Sequence, residues 1–322
     1  MQPLIWIIDE EWADYNLEKK LLKELYPDCL IKFSNYNYEE DLKSFGKDAD
    51  AIICQIYANI PATVINQLTR CKAIAVYGGG YDRVDIKAAK AKGIKVTNVS
   101  NYCKDDLADY TMAGIYHFYK QLSDMTSKVK ELPWGAQAMS FTPNRLSHSI
   151  LHIIGLGRIG LVVARKAIGN DLTVTAYDPY VDAETMAKHG VKKVEWDEGL
   201  KNADYISVNC ILNQETTGLI KYDDFRKIKP AAFLINTARG KVIEEEALVR
   251  ALKEGLLQGA MLDVIANEPP DYTEEIFSAP NAYITPHVSY ISQQSFDELK
   301  RRAVSNAAMG MEGKISPDLV NP

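Results

Sequence analysis

Short β-branched apolar runs alternate along nearly the whole chain with longer stretches whose apolar residues recur at helical spacing. This is the pattern of parallel strands joined by crossover helices, and it predicts an α/β fold. In the first hundred residues the predicted strands are Leu4–Ile8, Leu30–Phe33, Ala51–Cys54, Ile74–Val76 and Lys95–Thr97. Helices are expected around Tyr15–Tyr26, Ala62–Thr69 and Asp85–Lys92. A second series begins at Ile150–Ile154 and continues through Thr173–Tyr177, Tyr205–Asn209, Phe233–Asn236, Ala260–Asp263 and Tyr283–Thr285. Each series suffices for a doubly wound parallel sheet, so two such domains with a cleft between them are expected.

One long helical pattern, Asp105 to Leu122, separates the two series, followed by a Pro-, Gly- and Ser-punctuated stretch from Leu132 to Ser149 that reads as a surface loop or short strands. A last helix is expected over Ser292–Met311. The C-terminal remnant is too small for a core of its own and is expected to return to the first domain. The predicted division is therefore 1–101 with 298–322, and 102–297 between them.

Composition narrows the function. The 322 residues are 47% hydrophobic and 25% charged, typical of globular chains and long enough for two cores. A net charge of -6 gives no electrostatic footprint for a nucleic-acid backbone, so direct nucleic-acid binding is not expected. The N-terminal apolar run Leu4–Ile8 is too short for a signal peptide or a membrane span, which predicts a cytoplasmic protein without a membrane partner. Five scattered cysteines without a C-x-x-C pair predict reduced thiols, with no disulfide framework and no metal site.

The segment Ile150-Leu-His-Ile-Ile-Gly155-Leu-Gly157-Arg158-Ile159-Gly160 puts G-x-G-x-x-G directly after a strand and at the start of a helix. Gly155 permits the tight turn, Gly157 lets backbone approach a pyrophosphate, and Gly160 lets helix and strand pack closely. The anion would sit on the helix N-terminus. Asp178 ends the next strand, where a carboxylate accepts from both ribose hydroxyls of an adenosine and repels the extra phosphate of NADP. NAD is the expected cofactor.

Three further polar residues stand at or just after the ends of strands of the same sheet, the edge at which open α/β sheets bind ligands. Arg239 has the planar fork that holds a carboxylate through two parallel hydrogen bonds. Glu268 and His287 are placed to form a carboxylate–imidazole pair, which fixes the tautomer of the ring.

At these residues the chain resembles the D-isomer-specific 2-hydroxyacid dehydrogenases. The matching segments are Gly78-Gly-Gly-Tyr-Asp82, Gly155-Leu-Gly-Arg-Ile-Gly160, Asn236-Thr-Ala-Arg-Gly240, Gly259-Ala-Met-Leu-Asp-Val264, Asn267-Glu-Pro269 and Thr285-Pro-His287. The resemblance implies that Arg239 binds the carboxylate of a 2-keto acid and that His287, supported by Glu268, gives a proton as NADH gives a hydride. It implies backbone contacts to the substrate at Gly79 and Gly80. It also implies a cofactor lining of Thr111, Arg158, Ile159, Cys210, Thr216, Thr237 and Ala238, with Asp263 near the nicotinamide amide. Departures from the family pattern occur at Val76, Arg83, Ser100 and His152, none of them a catalytic group.

The segments His287-Val-Ser-Tyr290 and Asn101–Asp109 look most like the branch of C-terminal-binding proteins and their bacterial relatives. That likeness implies an aromatic wall at Tyr290 for the substrate side chain, with Tyr57 and Tyr77 as further candidates. Two functions from different classes follow: a 2-keto-acid reductase, and a non-enzymatic NAD(H)-responsive binding module. The chain shows no long disordered or basic extension for recruiting partners, which favours the enzyme. A homodimer is expected, with Ile115, Tyr116, Phe118 and Tyr119 offering apolar surface.

Overall fold

In the computed structural model, which describes residues 2–322, the chain divides into two compact units, Met1–Tyr102 with Ser292–Pro322, and Cys103–Ile291. The first unit is built on β1 (Leu4–Ile8), β2 (Leu30–Ser34), β3 (Ala51–Gln55), β4 (Ala73–Tyr77) and β5 (Lys95–Thr97). Its sheet is parallel throughout, in the order β2-β1-β3-β4-β5. β1, β3 and β4 are buried along their full length. Helices cover both faces of such strands, and this is why they read as unbroken apolar runs.

The C-terminal helix Gln293–Met311 belongs to this first unit from its first turn, so the crossing falls at Ser292 and not at the expected 298. Ser292 caps that helix by accepting from the Ser295 N–H at 3.1 Å, and the helix therefore starts as one rigid piece. Further along, the buried Lys300 ammonium lies 3.5 Å from the Glu18 carboxylate and 4.7 Å from the centre of the Trp12 ring. At its end, Gly310 comes so close to Ala73 of β4 that a Cβ there would collide with it.

The second unit contains β6 (Ile150–Ile154), β7 (Thr173–Tyr177), β8 (Lys192–Lys193), β9 (Tyr205–Val208), β10 (Phe233–Asn236), β11 (Gly259–Leu262) and β12 (Ala282–Ile284). These strands too are parallel, in the order β12-β11-β10-β9-β6-β7-β8. This is the dinucleotide-binding order with one strand added, and the strand order reverses between β6 and β9. His152, in the middle of β6, is fully buried against Gly199, and its Nδ1 lies 3.0 Å from Thr175 Oγ1. Burial pushes its imidazole down to about 4, so the ring is neutral and serves the core.

The long helix runs from Lys104 to Lys120 and stops at Gln121, whose φ of 51° ends it before a second helix, Leu122–Lys128. From there to Ser149 the chain forms turns, including short 3-10 segments at Ala136–Ala138 and Leu146–His148, and no strand. Ile115 and Phe118 are buried, and Phe118 stacks on Phe233 with ring centres 4.2 Å apart. Two of the four apolar residues expected on an interface thus belong to the core of their own unit, while Tyr116 is exposed. Among the described residues no helix is long and apolar enough to cross a membrane.

Candidate active site

The C-terminal edge of the second sheet gathers the chemistry. The turn after β6 needs glycine at Gly155, where φ is +88° and a Cβ would lie 2.8 Å from the Cys210 backbone nitrogen at the end of the neighbouring β9 segment. Gly157 precedes the helix Arg158–Ile168 with no side chain capping it, and no atom lies within 4 Å of where its Cβ would sit. Gly160 packs directly on the Gly155 carbonyl. The loop is therefore tight on the protein side and open at the helix N-terminus, as an incoming pyrophosphate requires.

Asp178, directly after β7, holds this loop. Its Oδ2 accepts from the Leu156 N–H at 2.9 Å and its Oδ1 from the Tyr180 N–H at 2.9 Å. Each oxygen keeps a lone pair, so the carboxylate can still accept from two ribose hydroxyls. At the ends of β9 and β10, Asn209 Oδ1 and Thr237 Oγ1 are buried without a hydrogen-bond partner. Orphaned polar atoms at this edge, beside an open glycine loop, fit a dinucleotide.

The other expected cofactor contacts contribute differently. Cys210 offers backbone to the glycine turn, and burial pushes its thiol up to about 11, so it is no thiolate at neutral pH. Thr216 shapes the turn after β9, its hydroxyl donating to the Ile211 carbonyl and accepting from Asn213 N–H at 2.8 Å. Thr111 is wholly buried and gives its hydroxyl proton to the Leu107 carbonyl in its own helix. Arg158 is exposed and Ile159 packs on the core beneath the loop. Tyr180 and Ile211, which the sequence did not single out, are exposed and stand two positions past Asp178 and one past Cys210.

Arg239, Glu268 and His287 follow β10, β11 and β12, three neighbouring strands. Asn236 shapes the Arg239 turn, donating through Nδ2 to the Arg239 carbonyl at 3.0 Å and accepting from the Ala238 N–H at 3.0 Å. Glu268 Oε2 lies 2.9 Å from His287 Nδ1, both side chains being nearly buried, and its Oε1 accepts from the Ile265 N–H at 2.9 Å. A carboxylate only accepts, so Nδ1 carries the proton of that bond and the ring tautomer is fixed. Burial raises the Glu268 carboxyl, but the His287 hydrogen bond and charge, the Ile265 N–H and the charge of Arg239 outweigh it and hold the group below its ordinary range. Stability from this depressed carboxylate is complete above about pH 4.3 and is lost as pH falls through the folded value. Thermal melts from pH 7 to pH 3 should therefore show the gap between wild type and Glu268→Gln narrowing once pH drops below about 4. A gap independent of pH would deny the pair its charge.

Asp263, expected beside the nicotinamide, has both carboxylate oxygens hydrogen-bonded within the protein. Oδ1 accepts from Thr285 Oγ1 at 2.6 Å and the Val288 N–H at 2.8 Å, while Oδ2 accepts from the Ser289 N–H at 2.9 Å. It is buried and grips the chain on both sides of His287. Tyr290 is buried with its ring edge-on to His287, centres 6.4 Å apart. Gly79 and Gly80 lie in the first unit just past β4, where Asn98 Nδ2 donates to the Gly79 carbonyl at 2.7 Å.

A sheet of this order, an open glycine loop and a carboxylate–imidazole pair on one edge define a nucleotide-dependent oxidoreductase. Comparison with known proteins narrows the class. A sequence model of the D-isomer specific 2-hydroxyacid dehydrogenase NAD-binding domain matches residues 112–289. A glyoxylate reductase of Thermococcus litoralis is 31% identical over 280 residues, covering 85% of this chain and 84% of its own. A Staphylococcus aureus protein named as a 2-hydroxyacid dehydrogenase is 34% identical over 304 residues, covering 94% of this chain and 95% of its own. Among solved structures, a D-lactate dehydrogenase from Aquifex aeolicus complexed with NAD and lactic acid superposes with a TM-score of 0.88 at 25% identity, over 99% of both chains. The chain belongs to the D-isomer specific 2-hydroxyacid dehydrogenase family, whose members are oxidoreductases acting on the CH–OH group of 2-hydroxy acids, and residues 112–289 are its NAD-binding domain.

Proposed function

We propose that the protein is an NAD-dependent D-2-hydroxyacid dehydrogenase working as a 2-keto-acid reductase, with His287 as general acid, Glu268 as its partner and Arg239 as the carboxylate clamp. The observation that carries this reading is the 2.9 Å pair of His287 and Glu268 at the strand ends that also carry Arg239. When bound, NADH supplies a hydride for the keto carbon. Arg239 fixes the substrate carboxylate through its planar fork and turns the adjacent carbonyl toward His287. Because Nδ1 is committed to Glu268, Nε2 is the nitrogen that delivers a proton to the carbonyl oxygen, and Glu268 stabilises the imidazolium beforehand. In the oxidative direction the neutral ring takes that proton back. The enzyme names carried by the relatives favour this reading over a binding module without turnover.

The test is NADH and NADPH oxidation with glyoxylate, pyruvate, hydroxypyruvate, oxaloacetate, branched 2-keto acids and phenylpyruvate. NADH-dependent turnover of at least one of them is expected; tight NADH binding with none turned over would move the assignment to a binding module. In the same panel, a Tyr290→Ala variant with an unchanged ratio of phenylpyruvate to pyruvate activity removes Tyr290 from the side-chain pocket.

NAD is preferred over NADP in this reading because the Asp178 carboxylate meets the ribose. Asp178→Asn keeps the shape and one of the two acceptors that the Leu156 and Tyr180 N–H groups use, and removes the charge. The ratio of kcat/KM with NADPH to that with NADH should rise by roughly tenfold, the effect of about one full charge contact. An unmoved ratio would place the selectivity elsewhere.

A further inference from the structure

His287 has a φ of +54°, a left-handed backbone that a residue with a Cβ adopts only when its surroundings impose it. Those surroundings are legible. The His287 N–H donates to the Asp263 carbonyl at 2.9 Å, and the Asp263 carboxylate takes the N–H groups of the next two residues. Thr285, two residues before the histidine, donates its hydroxyl to the same carboxylate at 2.6 Å. The single proton of Thr285 is thereby spent, so the 2.6 Å contact between Tyr110 and Thr285 hydroxyls has one possible direction, with Tyr110 donating. Burial pushes the Tyr110 phenol up to about 12, so it keeps that proton at neutral pH. Tyr110 is carried by the helix Lys104–Lys120, which also packs on β12 through His117 against Tyr283, ring centres 4.3 Å apart. The donor is thus mounted on a rigid body already fitted to the strand that leads into His287.

We propose that Tyr110 is a positioning residue for His287, heading a directed relay in which Tyr110 donates to Thr285 and Thr285 to Asp263, so that the carboxylate holds the left-handed turn. The proposal rests on the reading of His287 as the acid–base group. It assigns a task to the Tyr110 hydroxyl, which lies 2.6 Å from the Thr285 hydroxyl. Hydrogen bonds aligned in one direction polarise one another, so loss of the first donor weakens the grip of the last acceptor. The charged or titratable groups around His287 include Glu268 on the β11 loop, Arg239 on the β10 loop, Asp263 at the end of β11, Tyr290 edge-on to the ring and Glu245, whose charge reaches Glu268.

The experiment compares wild type, Tyr110→Phe, Thr285→Val, Thr285→Ser and the Tyr110→Phe/Thr285→Val double variant. It reads kcat and KM with NADH against pH, and the ring signal of His287 by NMR among the five histidines. Tyr110→Phe should lower kcat ~3- to 10-fold, the range of one hydrogen bond, with little change in NADH affinity. It should also shift the ring resonances of His287 as the ring slackens against Glu268. Thr285→Ser should keep the relay. In the Thr285→Val background, Tyr110→Phe should change nothing further. The relay is overturned if Tyr110→Phe leaves both the ring signal of His287 and kcat as in wild type, or if its loss is the same with and without Thr285. Absence of turnover in the wild type would instead sink the proposed function, and the NMR arm would still decide whether Tyr110 governs His287.

Discussion

His287→Ala is expected to slow 2-keto-acid reduction by ~10²–10⁴-fold, the usual worth of a positioned acid–base group, while leaving NADH affinity close to that of wild type. The two halves of this expectation rest on different parts of the sheet. The glycine loop and Asp178 follow β6 and β7, and Asp178 holds that loop through a bond to the Leu156 N–H that does not involve His287. The histidine follows β12, at the far edge of the same sheet, and its ring is tied to Glu268. Alanine in its place leaves the Glu268 carboxylate without the imidazole, though the Ile265 N–H remains. Fluorescence titration with NADH and steady-state reduction on the same preparations check both halves. Residual turnover within tenfold of wild type would show that another donor, such as water, protonates the product.

Five strands were legible to the residue and six more to within one residue at either end, and the reason is physical. Ile150–Ile154, Thr173–Tyr177 and Phe233–Asn236 run parallel between flanking layers, so their apolar character is nearly continuous and turn residues mark where it ends. Lys192–Lys193 gave no such signal because a two-residue edge strand needs no apolar side chain. The helix Glu39–Ser44 opens with three acids that suit its dipole but show no apolar period, and it was missed. The helix expected over Ala62–Thr69 closes already at Ile65, a single turn.

The candidate site divides in the same way. Gly155, Asp178, Arg239, Glu268 and His287 were visible because each stands just past the end of a strand, where residue type and position together suggest chemistry. What holds them was not visible. The grip of Asp263 on residues 285–289 joins segments more than twenty positions apart, and no spacing rule distinguishes it from a cofactor contact. Tyr110 reaches Thr285 across 175 positions. The left-handed turn at His287 leaves no mark in the sequence either, since it is imposed by those bonds and not by a glycine.

Gly240 shows how narrowly this support is built, and Gly240→Ala is expected to lower kcat by ~10²-fold, the cost of displacing a reacting group by about 1 Å. The residue follows Arg239 directly and is buried with an ordinary, negative φ, so its need for glycine is one of space. A Cβ there would land on the carbonyl carbon of Ile265 and against the Ala266 nitrogen. Both neighbours are backbone, with no flexible side chain to swing aside, and both are engaged: Ile265 N–H donates to Glu268 at 2.9 Å and Ala266 N–H to Glu245 at 2.8 Å. The methyl group can be accommodated only if the Arg239 turn and the Glu268 loop part, which draws Glu268 away from His287 and displaces the Arg239 turn at the same time. Gly157→Ala provides the converse. No protein atom lies near its added methyl, so the fold is unaffected, but the methyl occupies the approach to the helix N-terminus, and NADH affinity should fall while the melting temperature holds. Calorimetry with NADH, thermal melts and kcat on the two variants separate the outcomes. Gly240→Ala with wild-type kcat would mean that the two loops move apart without disturbing the triad, and that the close approach at Gly240 serves packing alone.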